Sequence, residues 1–237
     1  MSRAENTYND YAHEYVALVA AREAAGFARD PILPRLLAEI GDVCGLRALD
    51  AGCGEGYLAR ILAARGAQVT GADIAENLLR QARARDPDDA IAWRLGDLSA
   101  PAPDLEGQFD LAASHMVLND VPDHRGFLRT VAAALKPGGR FVFSMNNPYS
   151  FIVRRHVTDY FSQEARLYRG MAEEGVPVYF FQRTLQEYLD ASLAAGFTLR
   201  RLIDVPTPEG EFKRRSDTLI PPGTQFPFFM ILSLQRG

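Results

Sequence analysis

Short apolar segments alternate with helical patterns along the first 145 residues, and that rhythm restricts the fold more than any other feature of the chain. Residues 46–51, 68–73, 91–95, 109–114 and 140–145 are short, apolar and bounded by Gly, Pro or Asp, as strands are. Between them, 55–65, 76–85 and 123–135 space apolar residues three and four apart, as helices do. Strand, helix, strand repeated in this way requires parallel pairing through right-handed crossovers. A further helix at 185–195 stops at Gly196, and two last strands are expected at 198–205 and 228–235. With 237 residues and no internal repeat, the chain suits a single α/β domain spanning residues 1–237, with embellishments.

The first strand runs into LDAGCGEGYLAR, with glycines at 52, 54 and 56 before a helix. Free backbone N–H groups and the positive end of a helix dipole face whatever binds there. The dinucleotide fingerprint requires G-x-G-x-x-G, whereas this spacing is G-x-G-x-G with Asp50 two residues before the first glycine. A ligand with both a carboxylate and an ammonium group, such as the amino-acid end of S-adenosylmethionine, would use the helix terminus for one and the acid for the other. A tight corner with no ligand is the alternative.

Two more acids fall at strand ends. Asp73 closes the second strand, where a carboxylate can accept from both hydroxyls of a ribose; its other reading is an N-cap for the next helix. Asp97 follows the third strand, where it can accept from an adenine amine while the Leu98 amide meets a ring nitrogen; its other reading is a turn aspartate. The carboxyl ends of strands one, two and three line one crevice in an open α/β sheet.

These residues resemble the class I S-adenosylmethionine-dependent methyltransferases of the type 11 group. The likeness rests on LDAGCGEGYLARILAARGAQVTGADIAENLLRQAR, on GDL at 96–98, and on FDLAASHMVLNDVPD followed by LKPGGRFVFSM. DYF, FQRTLQEYLDASLAAGF and FPFFMILSLQ resemble a branch of the same group. The resemblance implies a Rossmann-like seven-stranded sheet, mostly parallel with an antiparallel last strand and helices on both faces. It also implies an N-terminal helical lid over 1–40 and a cap inserted after strand five at 146–183. S-adenosylmethionine is the implied cofactor and S-adenosylhomocysteine its product. The expected cofactor contacts are Tyr8, Tyr15, Asp50, Gly52, Cys53, Gly54, Asp73, Ile74, Asp97, Leu98 and Ser114.

Tyr8, Tyr11 and Tyr15 share a helical face, which packing alone would explain. The resemblance implies more: Tyr8, Ala12 and Tyr15 match a Tyr-x-x-x-Ala-x-x-Tyr segment that folds over the cofactor, with a tyrosine hydroxyl reaching its carboxylate, Tyr8 the first choice for that contact and Tyr15 the second. Transfer of an activated methyl group asks the protein to align an acceptor and, when needed, remove its proton. His115, after the fourth strand, has the near-neutral pKa that suits a general base, and packing against the sheet is its other reading. His13, His124 in the polar run PDHRG, and His156 are expected at the surface. The related branch has His-Pro where this chain has Asn147-Pro148, so Asn147 is a second-rank acceptor contact.

Residues 148–182 carry four tyrosines and four phenylalanines, far above the 10% aromatic content of the chain. An insertion there lies over the carboxyl edge of the sheet, where ligands bind. Tyr149, Tyr160 and Phe161 are its expected wall residues, with Tyr11 a further acceptor contact; a dimerisation arm is the alternative, so monomer and homodimer both stay open.

The net charge of −4 gives no footprint for nucleic acid or an anionic membrane surface, and Cys44 and Cys53 lack metal-ligand spacing. A cytoplasmic protein without a metal is expected, acting on N, O or C of a small aromatic or natural-product-like acceptor in secondary metabolism. A regulatory module that binds the cofactor without transfer is the alternative, and a nicotinamide-dependent oxidoreductase is disfavoured by the glycine spacing.

Overall fold

The computed structural model describes residues 7–24, 30–153, 159–162, 165–169, 177–206 and 225–237. Three helices come first, α1 (Thr7–Asp10), α2 (Ala12–Ala24) and α3 (Leu33–Ile40). An alternating series follows: β1 (Arg47–Ala51), α4 (Tyr57–Ala64), β2 (Gln68–Asp73), α5 (Glu76–Ala84), β3 (Ile91–Leu95), β4 (Phe109–His115), α6 (His124–Ala134) and β5 (Leu135–Asn146). The chain continues through α7 (Pro148–Val153), β6 (Ala165–Arg169), β7 (Pro177–Phe181), α8 (Leu185–Ala194), β8 (Phe197–Pro206) and β9 (Pro227–Arg236).

Seven strands form one sheet in the order β3-β2-β1-β4-β5-β9-β8. The first five pair in parallel, and β9 lies antiparallel between β5 and β8. This is the expected seven-stranded Rossmann-like sheet with an antiparallel last strand. Its central strands are apolar on both sides because helices cover both faces. On one face Phe109, Phe141, Phe143 and Leu232 pack with Phe127, Leu128 and Val131 of α6 and Tyr188 of α8. On the other, Leu111, Val142 and Ile231 pack with Leu33, Leu36 and Ile40 of α3 and Leu58 and Leu62 of α4. Each of these large side chains contributes about 1.5–3 kcal/mol by leaving water.

The segment after β5 reads as irregular in sequence but contains α7 and an antiparallel hairpin of β6 with β7. Its aromatic residues support both elements, and neither has the 11-residue length over which a helical period shows itself. His124, expected at a solvated helix start, is buried with its ring edge-on to Tyr188 at 5.6 Å. Asp123 caps α6 by accepting from the Gly126 N–H, so the polar run does start a helix, but that helix turns His124 inward. His13 is exposed, and His156 lies outside the described residues. No helix among the described residues is long and apolar enough to cross a membrane, and none of their His, Cys, Asp and Glu form a metal-binding group.

Candidate functional site

The glycine turn sits at the carboxyl edge of the sheet. The Gly52 and Cys53 N–H groups both donate to the Ala72 carbonyl, at 2.8 and 3.0 Å, which ties the turn to the end of β2. All three glycines have positive φ, and two admit no side chain: a Cβ on Gly52 would lie 2.6 Å from Val117, and one on Gly56 2.4 Å from the Trp93 ring. Gly54 differs. A Cβ there would meet Leu78 and Tyr15 at ordinary contact distance, 3.8 Å, so the Gly54 position forms a shallow cradle beneath the Tyr15 ring.

Asp73 fixes this turn. Its Oδ2 accepts from the Gly54 N–H at 2.8 Å and its Oδ1 from the Ala75 N–H at 2.7 Å. It does not cap α5, whose N-cap position is Ala75 with no side-chain bond. Burial raises its pKa, against the lowering effect of the Ala75, Gly54 and Ile74 amides.

Asp50 is 1% exposed, and its Oδ2 has no partner among the described residues. Burial first, then the charges of Asp73 and Glu55, push its carboxyl up to about 8, while the Ala59 amide opposes them. A buried acid with an unsatisfied oxygen is costly unless a donor arrives. The residues therefore fit a ligand that brings an ammonium to Asp50 and hydroxyls to Asp73. Asp97 is exposed and accepts from the Ser99 N–H at 2.7 Å as a turn aspartate does, with Leu98 buried beside it.

Helices α1 and α2 lie beside the glycine turn and α5. Ala12 and Val16 of α2 bury against Ala75 and Leu78, and Tyr8 meets Tyr15 edge-on at 5.4 Å. The Tyr8 hydroxyl donates to Asp120 Oδ2 at 2.6 Å, and Tyr11 is 38% exposed. Asn77 donates two hydrogen bonds to Asn9, from its backbone N–H and its side-chain amide, which joins α1 to α5. Glu55, read in the sequence only as a spacer between glycines, is fully buried between Arg60 at 3.2 Å and Arg85 at 2.5 Å, and Arg60 also reaches Glu23 of α2. Those arginines on the two following helices were the only sequence signal for it.

Beyond β1 the edge continues with β4, β5 and β9. The Ser114 hydroxyl donates to the Ala51 carbonyl at 2.7 Å. His115 Nδ1 lies 2.6 Å from Ser144 Oγ on β5, and its ring stands edge-on to Tyr57, the first residue of α4. A cavity of about 620 Å³ follows, with Asn147, Tyr149, Ile152, Tyr160, Leu202 and Met230 in its wall. Tyr149 and Tyr160 stack at 4.8 Å, and the Tyr160 hydroxyl accepts from the Leu185 N–H. Asn147 Oδ1 accepts from the Tyr149 N–H. Asn147 and Tyr160 line this cavity; Phe161, 77% exposed, does not, because its turn points it outward, and His115 is not among the lining residues.

Residues 49–143 match a family model described as a methyltransferase domain. The ubiquinone biosynthesis O-methyltransferase of Bordetella bronchiseptica is 39% identical over 116 residues, 47% of this chain and 48% of that protein. Its counterpart from Idiomarina loihiensis is 39% identical over 105 residues, 44% of this chain and 43% of the other. The chain spans about half the length of the curated relatives it matches. Among solved structures, an S-adenosylmethionine-dependent methyltransferase from Mesorhizobium loti aligns at 28% identity and a TM-score of 0.64, over 87% of this chain and 98% of that one. The DhpI–SAH complex aligns at 22% and 0.63 over 99% and 95%, and the [4+2]-cyclase SpnF at 19% and 0.58 over 82% and 76%. With the strand order, the glycine turn and the acids at its strand ends, these likenesses match residues 49–143 to a methyltransferase domain and give the chain the fold of S-adenosylmethionine-dependent methyltransferases.

Proposed function

We propose that the chain transfers the methyl group of S-adenosylmethionine to an O, N or C atom of a small aromatic or natural-product-like acceptor. The observation that carries this reading is the buried, partnerless Asp50 oxygen beside the glycine cradle. Bound there, the cofactor supplies a methyl group on a sulfonium, activated for in-line displacement. Asp50 holds the ammonium, Asp73 the ribose hydroxyls, and Asp97 with the Leu98 amide the adenine. Gly52, Cys53, Gly54, Ile74 and Ser114 shape the walls. Tyr8 has one hydroxyl proton and gives it to Asp120, so Tyr15, over Gly54, is the lid tyrosine placed for the carboxylate.

The acceptor is held by Asn147 and Tyr160 of the aromatic cavity and extends past its wall toward β4, because His115 does not line the cavity. There His115 takes its proton: when Nδ1–H is given to Ser144, the basic lone pair lies on Nε2. The relatives' name as O-methyltransferases supports oxygen as the acceptor atom. A fold that also serves a named cyclase does not by itself decide the chemistry. The deciding experiment is a screen of small phenols and amines, read by mass for the gain of one methyl group and by S-adenosylhomocysteine release. Cofactor binding without release under any acceptor would favour the regulatory module.

Binding should depend on pH through Asp50. An ammonium ligand needs the ionised carboxylate, and below about 8 the ligand-free protein holds it protonated, so affinity falls as pH falls. S-adenosylhomocysteine is expected to bind roughly five- to tenfold tighter at pH 8.5 than at pH 7 by calorimetry. Asp50→Asn should flatten that profile; an unchanged slope in the variant removes Asp50 from the ammonium site.

The wall residues make a separate expectation. Tyr160→Ala should raise the acceptor's KM roughly two- to tenfold, the worth of one aromatic contact, while sparing cofactor affinity. Conversion of a dimer to a monomer with unchanged acceptor kinetics would instead assign the segment to an interface.

A further inference from the structure

We propose that Asp120 is a positioning residue of the lid: by accepting the Tyr8 hydroxyl it holds α1 and α2 over the glycine turn, and Arg183 anchors the loop that presents it. This goes beyond the assignment of the crevice to the cofactor, although its affinity arm rests on that reading.

The loop between β4 and α6, residues 116–123, is fastened from beneath. Arg183 is 7% exposed and donates to the carbonyls of Leu118, Val121 and Pro122, the last two at 2.8 and 2.7 Å. Its guanidinium lies over the rings of Phe181 and Tyr188 at 5.1 and 5.9 Å. Asn119 in the same loop is buried, accepts from the Asn146 N–H, and receives the Phe181 N–H on its carbonyl. A loop so fully bonded presents a side chain at a fixed place. The side chain it presents to the lid is Asp120.

Tyr8 and Asp120 are 112 residues apart in sequence and 2.6 Å apart in space. Burial pushes the carboxyl of Asp120 up to about 7, although the Tyr8 bond and the Arg183 charge favour its ionised form. Burial and the Asp120 charge push the Tyr8 hydroxyl higher still, so Tyr8 remains the donor. Other side-chain ties of the lid run to α4 and α5. Asn77 donates two bonds to Asn9, which joins α1 to α5, and Arg60 of α4 reaches both Glu23, 40% exposed near the end of α2, and the buried Glu55. The hairpin strand β7 ends at Phe181, two residues before Arg183, so the loop joins the aromatic insertion on one side to the cofactor lid on the other.

The test is hydrogen exchange on the full ligand-free chain, followed by S-adenosylhomocysteine calorimetry. Tyr8→Phe and Asp120→Ala should each speed exchange of residues 7–24 about tenfold or more, the loss of a hydrogen bond to a charged group, and the double variant should add nothing further. Asp120→Asn keeps an acceptor oxygen and should restore most of the protection. Arg183→Lys keeps the charge but loses the fork, and should loosen 116–123 and 7–24 together. S-adenosylhomocysteine affinity should fall about tenfold in Asp120→Ala and recover in Asp120→Asn. Parental exchange of 7–24 in Tyr8→Phe overturns the proposal, as does a lowered Tm in Asp120→Ala with lid exchange and affinity unmoved. Failure of the parent to bind S-adenosylhomocysteine refutes the cofactor reading instead, and the ligand-free exchange then decides the latch alone.

Discussion

Replacing His115 by Ala is expected to lower turnover about 10²- to 10⁴-fold while leaving S-adenosylhomocysteine affinity near the parental value. The ring sits on β4, between the strand ends that carry the acids and those that frame the cavity, and touches neither Asp50 nor Asp73 through any bond the structure shows. Its loss therefore removes a proton acceptor without unmaking the crevice. Ser144→Ala should have a smaller effect in the same direction, because the ring then loses the partner that fixes its tautomer and orientation. Steady-state kinetics on an acceptor found in the screen provide the measurement. A loss below tenfold would make His115 a packing residue against Tyr57, and would favour an amine acceptor that arrives already deprotonated.

Asp73→Ala should weaken cofactor binding by about 1.5 to 3 kcal/mol, roughly ten- to a hundredfold, with the fold retained. The carboxylate has two duties. It already accepts from the Gly54 and Ala75 N–H groups, and those bonds hold the turn in its open form before any ligand arrives. A ribose would use its remaining lone pairs, since a carboxylate offers about four acceptor sites. The alanine variant loses both the hydroxyl acceptor and the bond that shapes the cradle. Asp73→Asn keeps one carbonyl oxygen and should retain part of the affinity. Calorimetry showing parental affinity in Asp73→Ala would sink the assignment.

The sheet was legible in the sequence because its signal is local. Each inner strand is a short apolar run between breakers, and each crossover helix repeats its apolar residues at a helical spacing, so β1 to β5 and α4 to α6 fall within a few residues of their expected bounds. The crevice acids were legible for the same reason, since Asp50, Asp73 and Asp97 stand at or just past strand ends that the pattern locates. The hairpin of β6 with β7 was not, because its two five-residue segments, ARLYR and PVYFF, are short and do not alternate apolar with polar residues, so nothing local announces their pairing.

What the sequence by itself determined is the strand rhythm, the G-x-G-x-G turn and the chemical types available at the carboxyl edge, all properties of neighbours along the chain. Tertiary structure alone decided who meets whom. It gave the Tyr8 hydroxyl to Asp120 across 112 residues, buried Glu55 between Arg60 and Arg85, turned His124 inward onto Tyr188, and left Phe161 in solvent. The physical reason is that a hydrogen bond or a buried charge acts over a few ångströms of space, and nothing in the periodicity of one element records which side chain of a distant element will supply the partner.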